Sequence, residues 1–482
     1  MIDSLDLVIK KLKYETNNNQ YLIIRNKKVN NIKTCVIYFE PLVSSIKISE
    51  YIIKSLNKIN CKNKDLISNI KNNIYNFKYK EIYTYDEIVD YLNKGFCILL
   101  LDGYSTGFAL EVKNEPLRSV TTPETDKAIR GSKDAFIEDM QTNVGLIKKR
   151  IRNNNLWIDS INLGKYTNTT ICVLYVNGIV NKKLLKKIVD RLKNIEIDGI
   201  FASGELKNLL ENESKSTFPT TLTTERPDTV SKSLLDGKIA ILVDNSPYAI
   251  VIPAFLNDFF KTSEDDYGKS INTTFTRIIK YIAFWISLLT PAIYISLITY
   301  NQEIVPLDLL VSFAGQRYGV PFPVFVEAFI LMIFFEILRE SDLRAPTFTG
   351  SSLSIVGALV LGQSAVSAGI VSPIMLIIVA TTAISSLPFS ELELINSIRF
   401  YRFVFMIGAS LMGTIGIVLA FIYFTIELTS LYSYEKPYLI PFVPFYIEGI
   451  KNSIIKLPKK LLNKREKYLT NNIRREKVWN QK

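Results

Sequence analysis

Read for its alternation of apolar and polar positions, the chain changes character once. Up to about Asp266, short apolar runs bounded by turn residues alternate with amphipathic stretches of three- and four-residue spacing. Cys35 to Glu40 and Phe96 to Asp102 predict buried strands that end in polar turns, and Thr169 to Val176 predicts another closed by Asn177-Gly178. Lys238 to Val243 and Tyr248 to Ile252 flank Asp244-Asn245-Ser246-Pro247, a hairpin signal. Lys133 to Ile151 puts Phe136, Met140, Val144, Ile147 and Ile151 on one helical face. Asp134 near its start and Lys148-Lys149-Arg150 near its end suit the helix dipole. Leu184 to Ile195 predicts a second amphipathic helix. The alternation predicts an α/β N-terminal region in two subdomains, residues 1–110 and 111–270.

Beyond Arg277 the pattern becomes continuously apolar. Ile278 to Tyr300 carries one charge, Lys280, near its edge. At 1.5 Å per residue it extends about 35 Å, longer than a hydrocarbon core of about 30 Å. Ser351 to Ser390 has no charge and is divided by Ser372-Pro373, which predicts two crossings, 351–371 and 373–390. Phe403 to Ile426 is again uncharged. Pro321 to Leu338 is apolar but holds Glu327 and Glu336, and is expected to be re-entrant or interfacial. The expectation is an all-α polytopic membrane domain at 271–430, with four spans at 278–300, 351–371, 373–390 and 403–426; the alternative is five, counting 321–338, which would put Arg339, Arg344, Arg399 and Arg402 on the inside as well. A short basic C-terminal tail follows at 431–482. From Lys451 onward eleven bases face only Glu466 and Glu476, so the positive-inside rule assigns the tail to the cytosol and requires an even number of crossings. The first ten residues hold no basic segment followed by an apolar run, so no secretory leader is expected and the N-terminal region is expected in the cytosol.

Composition narrows the chemistry. The 482 residues contain no histidine, which excludes His-dependent triads, His-ligated metals and histidine pH switches. Cys35, Cys61, Cys97 and Cys172 form no CxxC pair and read as reduced, buried thiols. Gly268-Lys269-Ser270 lacks the earlier glycine of a phosphate-binding loop, since Ser263 stands there. Gly362-Gln363-Ser364-Ala365-Val366 lacks both the last glycine and any histidine of a nucleophile elbow. No enzyme, cofactor or metal is therefore expected. The net charge of +12 lies in the tail and on lysine-rich helix faces, which fits anionic lipid rather than nucleic acid.

Small residues recur every four positions as Ser354, Ala358 and Gly362, and as Ala365 with Gly369. This spacing lets helices approach closely, within one chain or at a subunit interface. Gln363, Ser364 and Ser367 add polar groups to the same run. Together with Glu327 and Glu336 they are the candidate pore or gating residues, because a ring of carboxylates in an oligomer selects cations. The bland alternative for the carboxylates is an interfacial helix with Glu336 paired to Arg339 or Arg344.

Several longer stretches resemble one family. Arg130-Gly-Ser-Lys-Asp-Ala-Phe-Ile-Glu-Asp-Met-Gln-Thr-Asn143, Thr224-Glu-Arg-Pro-Asp228, Pro321 to Glu327, Phe335 to Glu340 and Ile355 to Pro373 resemble the A subunits of GerA-type spore germination receptors. Within these stretches Arg130, Gly131, Glu138, Asp139, Asn143, Glu225, Arg226, Pro227 and Asp228 form the structural motif. The resemblance implies a membrane subunit of a nutrient germinant receptor in the inner membrane of a bacterial spore. It would be partnered by a permease-like B subunit and a lipoprotein C subunit, and would self-associate into the ion-conducting part. A secondary transporter or a non-conducting scaffold is the alternative. Asn301 and Glu427 stand where the family usually has histidines, and Ser132 follows Gly131 where a proline is usual.

Overall fold

The computed structural model describes residues 4–29, 32–58, 67, 79–112, 122–211, 216–344, 362–458, 461 and 464–475. The chain forms two compact units. The first comprises Met1–Glu213, Thr221–Pro253 and Pro458–Lys482; the second comprises Ser214–Thr220 and Ala254–Leu457.

The first unit contains two five-stranded sheets. Strands β1 (Leu22–Val29), β2 (Ile32–Phe39), β3 (Tyr79–Ile82), β4 (Phe96–Leu101) and β5 (Gly107–Glu111) are ordered β1-β2-β4-β5-β3. Strands β6 (Leu156–Leu163), β7 (Thr169–Val176), β8 (Leu222–Thr224), β9 (Ile239–Val243) and β10 (Ala249–Ile252) are ordered β6-β7-β9-β10-β8. The second order repeats the first, a duplication that the sequence pattern does not reveal. All strand pairings are antiparallel; β3 and β4, and likewise β8 and β9, therefore run parallel with one strand between them, and the helix joining each pair is a split βαβ crossover. The central strands β4 and β9 are almost wholly apolar and buried.

Helix α1 (Leu5–Glu15) precedes the first sheet and α2 (Tyr85–Asn93) opens with a Thr84–Glu87 capping box. In the second subdomain α3 (Met140–Arg150), α4 (Lys182–Lys193), α5 (Ser203–Glu211) and α6 (Pro227–Asp236) surround the sheet. Helix α3 starts seven residues later than the periodicity predicts. Asp139 caps it by accepting from the Thr142 N–H at 2.8 Å, and buried Asn143 accepts from the Ile137 N–H at 2.8 Å, which holds the preceding backbone extended. Asp134, expected to favour a helix start, instead meets Arg150 at 2.5 Å.

The subdomains join where α3 lies on the turn Glu40–Leu42. A Cβ at Gly145 would come within 2.8 Å of the Pro41 carbonyl oxygen, so only glycine permits this approach. Next to it, buried Lys148 places Nζ 3.7 Å from the centre of the Phe39 ring. Residues 464–475 pack on the second subdomain: Arg465 donates to the Leu235 carbonyl at 2.7 Å, Asn472 to Gly178 at 3.0 Å, and Thr470 to Ile179. Arg475 pairs with Asp236, and Tyr468, Leu469 and Thr470 are buried.

The second unit is helical: α7 (Ser270–Thr299), α8 (Leu307–Arg317), α9 (Val324–Arg344), α10 (Pro373–Ile384), α11 (Leu392–Met412), α12 (Thr414–Ser430) and α13 (Ile447–Ser453). Two of the described helices, α7 and α11, are long and apolar enough to cross a membrane; α10 and α12 are shorter apolar helices. Helix α7 runs in the same direction as α11, since Ser287 faces Arg402 and Tyr300 faces Ser410. Helix α9 runs against α11, with Phe329 beside Phe403 and Glu336 beside Arg399. It packs on α7, α10 and α11 as one continuous helix that takes in most of the apolar stretch 321–338. The uncharged run 403–426, expected as one span, is divided at Gly413 into antiparallel α11 and α12. Gly413 has φ +60°, which favours glycine, and a Cβ there would meet Tyr300 at 2.7 Å. At the closest approach of the two helices Gly408 faces Gly416, and a Cβ at Gly416 would overlap the Gly408 carbonyl.

Two outcomes follow. Gly416→Ala forces α11 and α12 apart and lowers stability by about 1–3 kcal/mol, read by thermal unfolding of the detergent-solubilised chain. Burial pushes Lys148 down to about 7, against roughly 10.4 in an unfolded chain. Between those values the unfolded chain binds the extra proton, so stability rises as pH increases from about 7 toward 10. Lys148→Met removes that slope, measurable as melting temperature against pH.

Candidate functional site

The carboxylates of α9 lie nine residues apart and meet different neighbours, as helical geometry requires. Glu327 is wholly buried. Its Oε1 accepts from the Ser372 N–H at 2.6 Å and from the Ser372 hydroxyl, while Oε2 lies 3.8 Å from Arg317 Nε. Ser372 also caps α10 by accepting from the Met375 N–H at 3.4 Å, and Pro373 is the first residue of that helix. One serine therefore fixes both the start of α10 and the carboxylate of α9.

Glu336 pairs with Arg399 and lies 3.8 Å from Arg402, both on α11; the Arg344 side chain, one of its expected partners, lies outside the described residues. Arg402 is buried and donates through Nε to the Ser287 carbonyl of α7 at 2.7 Å. That carbonyl is available because the residue four positions on is Pro291, which has no N–H to fill the helical bond. A proline in α7 thus creates the acceptor that orients a guanidinium from α11 toward a carboxylate of α9.

The polar run before α10 behaves differently. Gly362 packs on Leu376, and Ala365 and Gly369 are partly covered. Gln363, Ser364 and Ser367 are exposed, so the described residues of this chain do not cover them. Ser354 and Ala358 lie outside the described residues. Elsewhere in the unit α12 exposes Ile415, Val418, Leu419, Ile422 and Ile426.

The two positions of histidine in the resembled family carry joints. The Asn301 side-chain oxygen accepts from the Ser296 hydroxyl at 3.2 Å, from the Thr414 N–H at 3.3 Å and from the Thr414 hydroxyl. It caps α12 from the end of α7. Glu427, near the far end of α12, accepts from the Ser216 hydroxyl at 2.6 Å.

In the first unit the motif residues form a clamp. Glu225 accepts from the Thr125 N–H at 2.6 Å, the Thr125 hydroxyl at 2.8 Å and the Asp126 N–H at 3.1 Å. Burial pushes its carboxyl up, but these donors outweigh burial and hold it below the usual carboxylate range. Buried Arg226 grips Asp228 at 2.7 Å and donates to the Ser132 carbonyl at 2.9 Å and the Asp126 carbonyl at 3.2 Å. Pro227 opens α6, the Glu138 carbonyl accepts from the Asn245 N–H at 3.0 Å, and Arg130 and Gly131 lie in the clamped loop. Asp139 and Asn143 set the start of α3, as described above.

Sequence reasoning found Glu327 and Glu336 but missed Ser372, Arg317, Arg402 and Ser287. Their signal was present: each basic residue flanking an apolar run needs a counter-charge, and a proline inside a helix frees a carbonyl four residues earlier. Among the described residues no cluster of three or more Cys, Asp or Glu is arranged to hold a metal ion.

A profile described as "Bacillus/Clostridium GerA spore germination protein" matches residues 10–468. Spore germination protein KA of Bacillus subtilis is 38% identical over 460 residues, covering 94% of this chain and 85% of that protein. Spore germination protein A1 of the same organism is 33% identical and covers 95% of this chain and 93% of its own length. A B. subtilis protein named as the membrane protein YfkQ is 38% identical, covering 76% of this chain and 71% of its own length. The crystal structure of the N-terminal domain of the A subunit of the Bacillus megaterium spore germinant receptor GerK3 is also similar. It is 30% identical, covers 53% of this chain and 98% of that chain, and has a TM-score of 0.42.

Removing the buried guanidinium of the clamp by Arg226→Ala strands Asp228 and two carbonyls. The expected cost is about 3–5 kcal/mol, measured by denaturant unfolding of the purified chain.

Proposed function

The chain belongs to the GerA family of spore germination proteins, the A subunits of germinant receptors, and from that premise we propose how it works. It sits in the inner membrane of the spore with its first unit in the cytosol, beside a permease-like B subunit and a lipoprotein C subunit. Copies of the helical unit associate around an ion path that releases cations when nutrient is sensed. The observation that carries this reading is the exposure of Gln363, Ser364 and Ser367 within an apolar run, in a helical unit whose helices also expose aliphatic side chains. Lipid cannot satisfy such groups, whereas water in a path or a second copy of the chain can.

The two carboxylates explain how such a path stays shut. Glu327 is held by Ser372 and Arg317, and Glu336 by Arg399 and Arg402. In this arrangement both charges are neutralised within the chain, which is a closed state. Attraction of cations requires that at least one carboxylate leave its arginine, so an opening stimulus must supply the free energy of that separation. The topology supports the sidedness. Residues 464–475 belong to the first unit, which supports an even number of crossings by the helices between Ala254 and Leu457. The basic residues after Lys451 then share the cytosolic side with the α/β subdomains.

Glu327→Gln and Glu336→Gln, in receptors present at normal amounts, slow nutrient-triggered cation release by about tenfold, the scale expected from losing one favourable charge interaction. Wild-type release rates in both would remove the carboxylates from the conduction path. Current through the purified chain in a planar bilayer separates a conducting subunit from a scaffold, which passes none. Uptake of a solute into vesicles by this chain alone would favour a secondary transporter.

A further inference from the structure

The polar groups around Glu327 are only partly used. Its Oε1 is engaged by Ser372, but among the described residues Glu327 Oε2, Arg317 Nε and the Tyr294 hydroxyl are buried atoms with no hydrogen bond of ordinary geometry. Tyr294 enters from α7, next to Ser372 and within electrostatic reach of Glu327 and Arg317. Four helices therefore converge here: α7 supplies a phenol, α8 a guanidinium, α9 a carboxylate, and the cap of α10 a hydroxyl. A buried polar atom left unpaired costs about 1–3 kcal/mol, so three in one place do not serve the stability of the chain. The Glu327–Arg317 pair is also the looser of the two carboxylate pairs. Arg317 approaches through Nε at 3.8 Å, beyond hydrogen-bonding distance, whereas Arg399 reaches Glu336 with a terminal nitrogen at 2.5 Å. Arg317 is the last residue of α8, and none of the residues of α8 is buried. That helix meets the site through Phe313, edge-on to Tyr294 with ring centres 6.2 Å apart. Helix α11, which carries Arg399, is instead buried along one whole face.

We propose that Glu327 Oε2 and the Tyr294 hydroxyl form a site for a monovalent metal cation, and that Arg317 is its tethered competitor, withdrawn with α8 when the cation takes its place. This deepens the reading of the helical unit as a cation path and rests on it. The chemistry selects the class of ligand. The oxygens brought together are one carboxylate, one phenol and one serine hydroxyl, with a single negative charge. Calcium takes six to eight oxygens, commonly from several carboxylates, and magnesium demands a near-ideal octahedron. A guanidinium already balances the one charge of Glu327, so exchange for another single positive charge leaves no buried carboxylate stranded. Glu336 offers no equivalent exchange, because Arg399 and Arg402 would both have to withdraw. Of the two carboxylates, Glu327 is therefore the one that exchanges its partner. Withdrawal of Arg317 disturbs little packing, since α8 buries no side chain of its own.

The test melts the purified full chain in detergent, in potassium chloride and in choline chloride of equal ionic strength. An ion that binds the folded chain raises the melting temperature in a saturable way. Arg317→Gln removes the competitor and strands Glu327, so this variant melts below the wild type in choline. Potassium restores it, at a half-maximal concentration about tenfold lower than the wild type needs, as for a competitor that holds the carboxylate about nine-tenths of the time. Adding Tyr294→Phe raises that concentration about fivefold, the effect of losing one ligating hydroxyl. Arg317→Gln with Glu327→Gln removes both charges together and loses the response to potassium. A purely structural ion pair predicts instead that Arg317→Gln melts equally low in both salts. That result overturns the proposal, as does a double variant that still responds, or restoration by magnesium and not by potassium. Where Arg317→Gln is not recovered, the wild type against the double variant decides by the same difference between salts. A current through the chain without a potassium-specific response removes this site and leaves the conducting reading. A potassium-specific response in a chain that passes no current keeps the site and removes that reading.

Discussion

An ionised side chain among apolar helices costs several kcal/mol unless a counter-charge and hydrogen-bond partners meet it. In the second unit that requirement decides which helices are neighbours. Arg402 reaches the Ser287 carbonyl of α7 and Glu336 of α9 from its place on α11, so one guanidinium joins three helices. Glu327 joins α9 to the start of α10 and the end of α8 through Ser372 and Arg317. Apolar packing within lipid has little preference among partners, because lipid tails are as apolar as leucine. These few polar contacts therefore specify the arrangement that the aliphatic surface leaves open. They are also where the arrangement changes most readily, since exchanging one buried partner for another alters which helices are held together.

A second constraint acts on α11 and α12. Their backbones approach at Gly408 and Gly416, and the reversal at Gly413 allows no side chain beside Tyr300. Small residues permit this approach but do not fasten it. Tyr401 and Phe405 of α11 pack on Phe424 of α12, and further fastening comes from outside the pair, from Asn301 at the turn and from residues 216–220 at the base. The two external fastenings are polar or aromatic contacts between segments far apart in the chain, and one of them comes from the N-terminal half.

Much of the first unit was legible in the amino-acid order. The strand at Thr169–Val176 and the hairpin at 238–252 lie where apolar runs and turn residues point, because a buried strand and a tight turn are specified by adjacent residues. Helix α3 was misjudged at its start. Periodicity continues back to Phe136, but the Asp139 cap and the Asn143 grip on Ile137 stop the helix, and local hydrogen bonds prevail over pattern. The repeated sheet order left no trace in the pattern, since the two subdomains share topology without sharing residues at a readable period. The clamp residues Glu225, Arg226 and Asp228 were recognisable only as a motif; their work is to hold a loop about a hundred positions earlier.

By itself, the order of residues determined the change from mixed α/β to apolar helical chain, the absence of histidine chemistry and the presence of two carboxylates in an apolar stretch. Each is a property of neighbours along the chain, and hydrophobicity and charge are carried by residues one at a time. Tertiary structure alone decided that 403–426 reverses at Gly413, that Glu336 meets Arg399 and Arg402, that residues 464–475 fold back onto the second subdomain, and that Phe218 lodges between two helices. Those outcomes depend on which distant groups satisfy one another's charge, hydrogen bonds and volume. That selection is made only when the whole chain competes for the same partners.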